Sequence, residues 1–233
     1  MSWDERLADD YDLWSAQMTA DVDFYVALAR QAEGPLVELA VGSGRVAIPV
    51  ARATGKSVIG IDASPAMLEL ARESAFQAHV DLDLREGDMT AFTLDEPAGL
   101  IYCPFHGVLH LPTWSDRRRL FERVAASLRP NGRFAWSALA FDFRVAARFD
   151  GVPQNTPTPH ITRFSIGTNR IDIVHDNGAT SSLWWAALNE WLGLIDVAGL
   201  QVESLHGGFA GEPFDDASTL YVFVATKRAA KPD

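Results

Sequence analysis

The chain of 233 residues contains one cysteine, Cys103. That excludes an internal disulfide framework and a cysteine-rich zinc site. No apolar run approaches the roughly 20 residues that a membrane span requires. The opening segment MSWDERLADD is acidic and lacks the apolar stretch of a secretory signal, so a cytoplasmic protein with no membrane partner is expected. Positive charge is scarce: 20 Lys and Arg face 31 Asp and Glu, a net charge of -11. Such a field repels phosphate backbones and disfavours nucleic acid as a partner. Repeats and low-complexity segments are also missing. What remains is a hydrophobic fraction of 48%, ample for a core, in a length that suits one α/β domain with or without an inserted cap.

Most of the chain alternates between strand and helix patterns. Residues 5–32 carry Leu7, Tyr11, Trp14 and Met18 at helical spacing. The spacing then predicts strands at 35–41, at SVIGI ending on Asp62, at 79–85, at AGLIYC ending on Cys103, and at RFAWSAL. Helices are predicted between them at 44–54, from Ser64-Pro65 through the seventies, and from Ser115 to about Leu128. Pro49 conflicts with the first of these helices. A parallel sheet with right-handed crossovers follows from this alternation. The pattern breaks after residue 140. A Pro-rich loop at 150–160 leads to two short strands, 160–167 and 169–176, and then to a helix at 182–198 with Trp184, Leu188, Trp191 and Ile195 as its stripe. Two strands, LQVESLH and TLYVFVAT, close the chain, and the tail after residue 227 is expected to fray.

The chemistry is concentrated in ELAVGSGRVAIPVA, residues 38–51. An acidic residue ends a short apolar run, and Gly42 and Gly44 follow before a helix begins. Glycines let the backbone turn sharply and come close to a ligand, and a helix start offers unpaired N–H groups. With Ala47 in third place the turn reads as GxGxxG, which suits a dinucleotide. Glu38 weighs against that, because a carboxylate beside the turn repels a pyrophosphate and accepts from an ammonium.

Read the other way, as E-x-G-x-G-x-G with Ala40 in place of the first glycine, the segment resembles motif I of the class I S-adenosylmethionine (SAM) methyltransferases. Three further stretches are similar to that family's signatures in the same order: VIGIDAS, REGDMTAF and LIYCPFHGVLHL, followed by the turn LRPNGRFAW. The resemblance spans nearly the whole chain. It implies a Rossmann-like α/β sandwich with a mostly parallel seven-stranded sheet whose last strand runs antiparallel between the fifth and sixth. It implies SAM as cofactor, held by Glu38, Ala40, Gly42, Ser43 and Gly44 at the turn. Asp62, with Ala63 and Met67 beside it, would take the ribose; Asp88 would accept from the adenine amino group, and Met89 would pack on the ring. Cys103 and Phe105 would line the methyl-transfer site. CPFH differs from the Asn-Pro-Pro-Tyr of enzymes that methylate amino groups of nucleic acids, which agrees with the negative charge.

The residues 1–33 would form a helical cover, with Tyr11 and Trp14 over the cofactor or against the sheet edge. Residues 141–182 would be an inserted substrate cap within a single domain of 1–233, its Arg144, Arg148, His160, Arg163 and His175 mixed with Phe141, Phe143 and Phe164. His106 and His110 are i, i+4 and share a face if that segment is helical, which makes them the candidates for acid–base work. No metal is expected, since no carboxylate falls at ligand spacing from them. The reading is a SAM-dependent methyltransferase acting on nitrogen or oxygen of a small molecule, as monomer or homodimer. An NAD-dependent oxidoreductase and a non-catalytic SAM-binding module are the rivals.

Overall fold

The computed structural model describes residues 5–7 and 19–227. Residues 5–7 make one 3-10 turn. The main elements then follow in order: α1 (Ala20–Gln31), β1 (Leu36–Leu39), α2 (Ala47–Thr54), β2 (Val58–Asp62), α3 (Pro65–Ala78), β3 (Leu82–Glu86), β4 (Ala98–Cys103), α4 (Trp114–Ser127) and β5 (Leu128–Leu139). The second half adds α5 (Phe143–Phe149), β6 (Pro153–Gln154), β7 (His160–Ser165), β8 (Arg170–His175), β9 (Thr180–Trp184), α6 (Leu188–Val197), β10 (Leu200–His206) and β11 (Leu220–Lys227).

Seven strands form one sheet in the order β10-β11-β5-β4-β1-β2-β3. Strands β1 to β5 pair in parallel, and β11 is antiparallel to both β5 and β10. This is the arrangement that the resemblance implied. The sheet is buried on both faces, so β4 reads as a continuous apolar run, AGLIYC, rather than an alternating one. On one face Phe134, Trp136 and Phe223 pack against Phe121 of α4 and Trp191 of α6. On the other, Leu36, Leu100 and Tyr102 pack against Tyr25 of α1 and Val50 of α2. Val37 and Leu39 belong to the first face. Glu38, between them, is turned to the second by the period of two.

Local chemistry explains where elements begin. Ser64 accepts from the Met67 N–H at 3.1 Å and Pro65 opens α3 behind it. Thr113 and Asp116 form a reciprocal capping box, so α4 starts at Trp114. Several boundaries differ from the spacing. Helix α2 begins at Ala47 rather than 44, because Gly42 to Val46 form the turn itself. Pro49 thus lies in its first turn, where an N–H would have had no helical partner, and the conflict disappears. His79 takes a left-handed conformation that ends α3, so β3 starts at 82 rather than 79. Of the helix expected over 5–32, residues 20–31 are helical; Tyr11, Trp14 and the tail beyond 227 lie outside the described residues. The helix expected over 182–198 begins at Leu188, and Trp184 stands on strand β9, not on a helical stripe. Strands β6 to β9 form a separate four-stranded antiparallel sheet, which extends to residue 184.

Gly99 shows how closely the turn before β1 lies against β4. A Cβ there would overlap the Glu33 carbonyl. Gly99→Ala should lower unfolding free energy by about 3 kcal/mol, the upper range for overpacking, with the urea midpoint as readout. An unchanged midpoint would contradict this packing.

Candidate active site

The carboxyl ends of β1, β2 and β4 meet at one edge of the sheet, where an open α/β sheet takes its ligand. Ala40, Gly42 and Gly44 all have positive φ, at 54°, 56° and 82°. Ala40 therefore occupies a conformation that favours glycine, at a cost of about 1–2 kcal/mol. The turn is held from the neighbouring strand end. Asp62 accepts from the Gly42 N–H at 2.8 Å and from the Ser64 N–H at 2.9 Å. The Gly87 N–H donates to the Asp62 carbonyl at 2.9 Å, which ties the Asp88–Met89 loop to the same point. Asp88 is exposed and its Oδ1 accepts from the Thr90 N–H, while Met89 packs partly into the core. Ala63 is exposed; Ser43 and Met67 are buried.

Glu38 is 2% exposed, and its Oε2 has no hydrogen-bond partner. Burial pushes its carboxyl well above the ordinary carboxylate range; Tyr102 and Arg45 pull it back, and Asp21 and Asp62 push it further up. A buried acceptor with an unengaged lone pair, beside a glycine turn, is suited to an ammonium group. Two residues that the spacing gave no signal for complete this side. Asp21, in the first turn of α1, forms a bidentate ion pair with Arg45 at 2.7 and 2.6 Å. Arg45 in turn lies 5.5 Å from the centre of the Phe105 ring. Helix α1 is thereby fastened to the residue after Gly44.

The segment after β4 is a 3-10 turn, Gly107–His110, rather than an α-helix. Phe105 and His106 precede it with φ of 47° and 63°. Consecutive left-handed residues of this kind store strain that the surroundings must hold. Gly107 fits because a Cβ there would lie 2.6 Å from Cys103 Sγ and 3.1 Å from the Ala40 Cβ. The two loops therefore touch through a glycine. Cys103 is fully buried, and burial raises its thiol, so it packs rather than reacts. The His106 ring is close enough to His110 to feel its charge. Burial pushes both imidazoles down to about 4; His110 lowers His106 further, whereas Asp21 opposes the shift. Neither is then poised as a general base near neutral pH. Both are neutral imidazoles that can accept or donate a hydrogen bond. Among the described residues, no group of three or more His, Cys, Asp or Glu is placed to hold a metal ion.

Residues 36–132, which hold all of these loops, match the family model described as a methyltransferase domain. The chain is a SAM-dependent methyltransferase, similar over this segment to the class I family. It is 26% identical over 228 residues to the cypemycin N-terminal methyltransferase of a Streptomyces species, covering 91% of this chain and 92% of that protein. Its fold is similar to that of the CcbJ methyltransferase from Streptomyces caelestis, with a TM-score of 0.75 at 23% identity over 91% of this chain and 89% of that one. It is also similar to CalS10, an amino pentose methyltransferase from Micromonospora echinaspora, with a TM-score of 0.66 at 22% identity and 92% coverage of each. These relatives give the oxidoreductase reading no support, in line with the buried carboxyl at the turn. SAM supplies an electrophilic methyl carbon on a sulfonium. The methyltransferase brings Glu38, Asp62 and the glycine turn together at this edge of the sheet.

Asp62 holds the turn. Asp62→Ala should weaken binding of S-adenosylhomocysteine by about 2–3 kcal/mol in calorimetry, through lost charge-assisted bonds, and should also lower the melting temperature. Asp62→Asn, which keeps one acceptor, should cost less on both counts. Wild-type affinity in Asp62→Ala would remove Asp62 from the site.

The histidines set a pH signature. Their folded-state values lie below the unfolded value of about 6.5, so the unfolded chain binds more protons between there and about 4. The stability due to their neutral burial is full above about 6.5 and is lost as pH falls through about 4. Between pH 7.5 and 5, the urea midpoint of the wild type should fall further than that of His106→Gln. Parallel curves would show that the His106 ring is not desolvated.

Proposed function

We propose that this methyltransferase acts on an amino nitrogen of a small molecule or a peptide terminus. The observation that carries the reading is the His106 side chain. Its Nδ1 is buried without a hydrogen-bond partner, on the loop that touches the cofactor turn. A neutral imidazole there can accept from an amine N–H and so aim the nitrogen lone pair along the transfer line. It need not remove a proton in the transition state, since an uncharged amine attacks as it is. Alignment of this kind supplies several kcal/mol by itself.

Charge supports the same class. At -11 the protein attracts cations and repels polyanions. Three of the five basic groups expected to grip an anionic acceptor, Arg144, His160 and His175, are engaged within the cap. Arg144 is paired with Asp142 at 2.9 Å, and His160 and His175 are buried, with His160 Nδ1 2.8 Å from the Thr158 carbonyl. Two relatives carry names that agree: one is a cypemycin N-terminal methyltransferase and the other an amino pentose methyltransferase. Nucleic acid is disfavoured on the same electrostatic ground. The small sheet of β6 to β9, with α5, serves in this reading as the substrate cap.

The test supplies SAM carrying a deuterated methyl group to a panel holding a short peptide with a free α-amino group, an amino sugar and a phenol. Mass spectrometry should find the label on an amine. With that acceptor, His106→Ala should lower kcat/KM about 100-fold, as misalignment does, while S-adenosylhomocysteine affinity stays within twofold of wild type. Label on the phenol alone would overturn the nitrogen assignment.

A further inference from the structure

Four aromatic rings meet where the large sheet ends and the small sheet begins. Phe141 stands two residues past the end of β5, and Trp185 one residue past the end of β9. Their rings stack with centroids 4.1 Å apart and planes 16° from parallel. Phe143 meets the Phe141 ring edge-on at 5.0 Å, and Phe164 of β7 does so at 6.0 Å. Contacts of this kind favour a defined geometry. Trp185 is also fixed through the backbone: its N–H donates to the Asn169 carbonyl at 2.9 Å, and the Trp184 carbonyl accepts from Arg117. The Trp185 ring is buried and its Nε1 has no hydrogen-bond partner, so stacking and backbone alone place it. Phe143, by contrast, is 64% exposed. None of the four rings belongs to the cores packed on the two faces of the large sheet.

The cluster lies beside the methyl-transfer loop. Cys103, the last residue of β4, is level with Trp136 of β5. Strand β5 therefore runs on past the start of that loop to Leu139, about 10 Å further at the rise of a strand. Both β5 and β9 pack against the Gly107–His110 turn. The small sheet turns an apolar row the same way. Phe164, Ile171 and Leu183 are successive cross-strand partners, and Leu183 packs on the core that contains Val108 and Leu109. The adjacent row, Arg163, Asp172 and Ser182, is on the opposite face, where Asp172 accepts from Ser182 and Arg170. We propose that the four rings are the subsite for the body of the acceptor: an aromatic or bulky apolar group carried by the amine, seated against Phe143 and the Phe141–Trp185 stack while the nitrogen reaches His106. This rests on the amine reading and narrows it. An aromatic group gains burial and ring contacts there. A polyhydroxylated amine would press hydroxyls against rings that offer them no partner. Phe143, the exposed ring, is then a specificity-determining residue.

The experiment uses the full chain loaded with S-adenosylhomocysteine and measures calorimetric affinity for three primary amines: phenylalanine amide, serine amide and glucosamine. The two amides differ only in bearing a phenyl or a hydroxyl group. Phenylalanine amide should bind about tenfold more tightly than either of the others, as burial of a ring requires. In Phe143→Ala that preference should shrink to about twofold, with S-adenosylhomocysteine still bound as in the wild type. Phe143→Tyr, which keeps the ring, should restore it. Phe143 is largely exposed, so its truncation removes little from the fold. Equal affinities for the two amides, no measurable binding of phenylalanine amide, or a preference that survives in Phe143→Ala would each overturn the subsite. No methyl group moves in this measurement, so it judges the subsite by itself. The deuterium label judges the nitrogen separately, and label on the phenol alone would overturn the amine reading without touching the affinities.

Discussion

The Asp62 carboxylate accepts from the Gly42 amide on one side and from the Ser64 amide on the other. Gly42 belongs to the turn after β1, and Ser64 caps the helix after β2. One side chain therefore fixes two neighbouring strand ends against each other. Gly42 and Gly44 hold positive φ, and Ala40 does so against its own preference. Such a turn would relax into other conformations without an external acceptor for its N–H groups. A charge-assisted bond is about twice as strong as a neutral one, which suits it to that task. Position follows outward from this point. Gly107 fits beside Ala40 only because the turn lies where Asp62 holds it, and His106 takes its place from Gly107.

Some of the polar groups around the site are buried in pairs. Asp21 and Arg45 satisfy one another, as do Arg117 and Glu190. Glu38 Oε2 and His106 Nδ1 have no such partner. Leaving either unmet costs about 1–3 kcal/mol of desolvation. Glu38 lies within β1, beside its glycine turn, and His106 on the loop that follows β4. The unmet atoms are of opposite use: a carboxyl for a cation, and an imidazole for a donor or acceptor.

The parts legible in the sequence were those made by neighbours along the chain. Glycines at 42 and 44, Ser64-Pro65 as helix start and the apolar strand at 98–103 each act within a few residues. Partners distant in sequence left no such trace. Asp21 and Arg45 are 24 residues apart, and nothing in the spacing pairs them. Trp184 fits a helical period with Leu188 and Trp191, yet β9 forms because it pairs with β8, a contact no local window contains. The histidines were legible as a pair, but their burial was not. Burial favours the neutral, hydrogen-bonding form of both.

Strand β11 lies between β10 and β5, although it is the last of the strands to be made. Chains begin to fold during synthesis, N-terminal parts first. Here β1 to β5 can pair while the chain is still growing, but β5 keeps one edge of N–H and C=O groups open until residues 220–227 emerge. Strand β10 waits beside that gap with no partner of its own. An open parallel sheet edge of this length is a template for other chains. Until then the nascent protein carries an edge exposed to aggregation, and β11 closes the sheet from the middle.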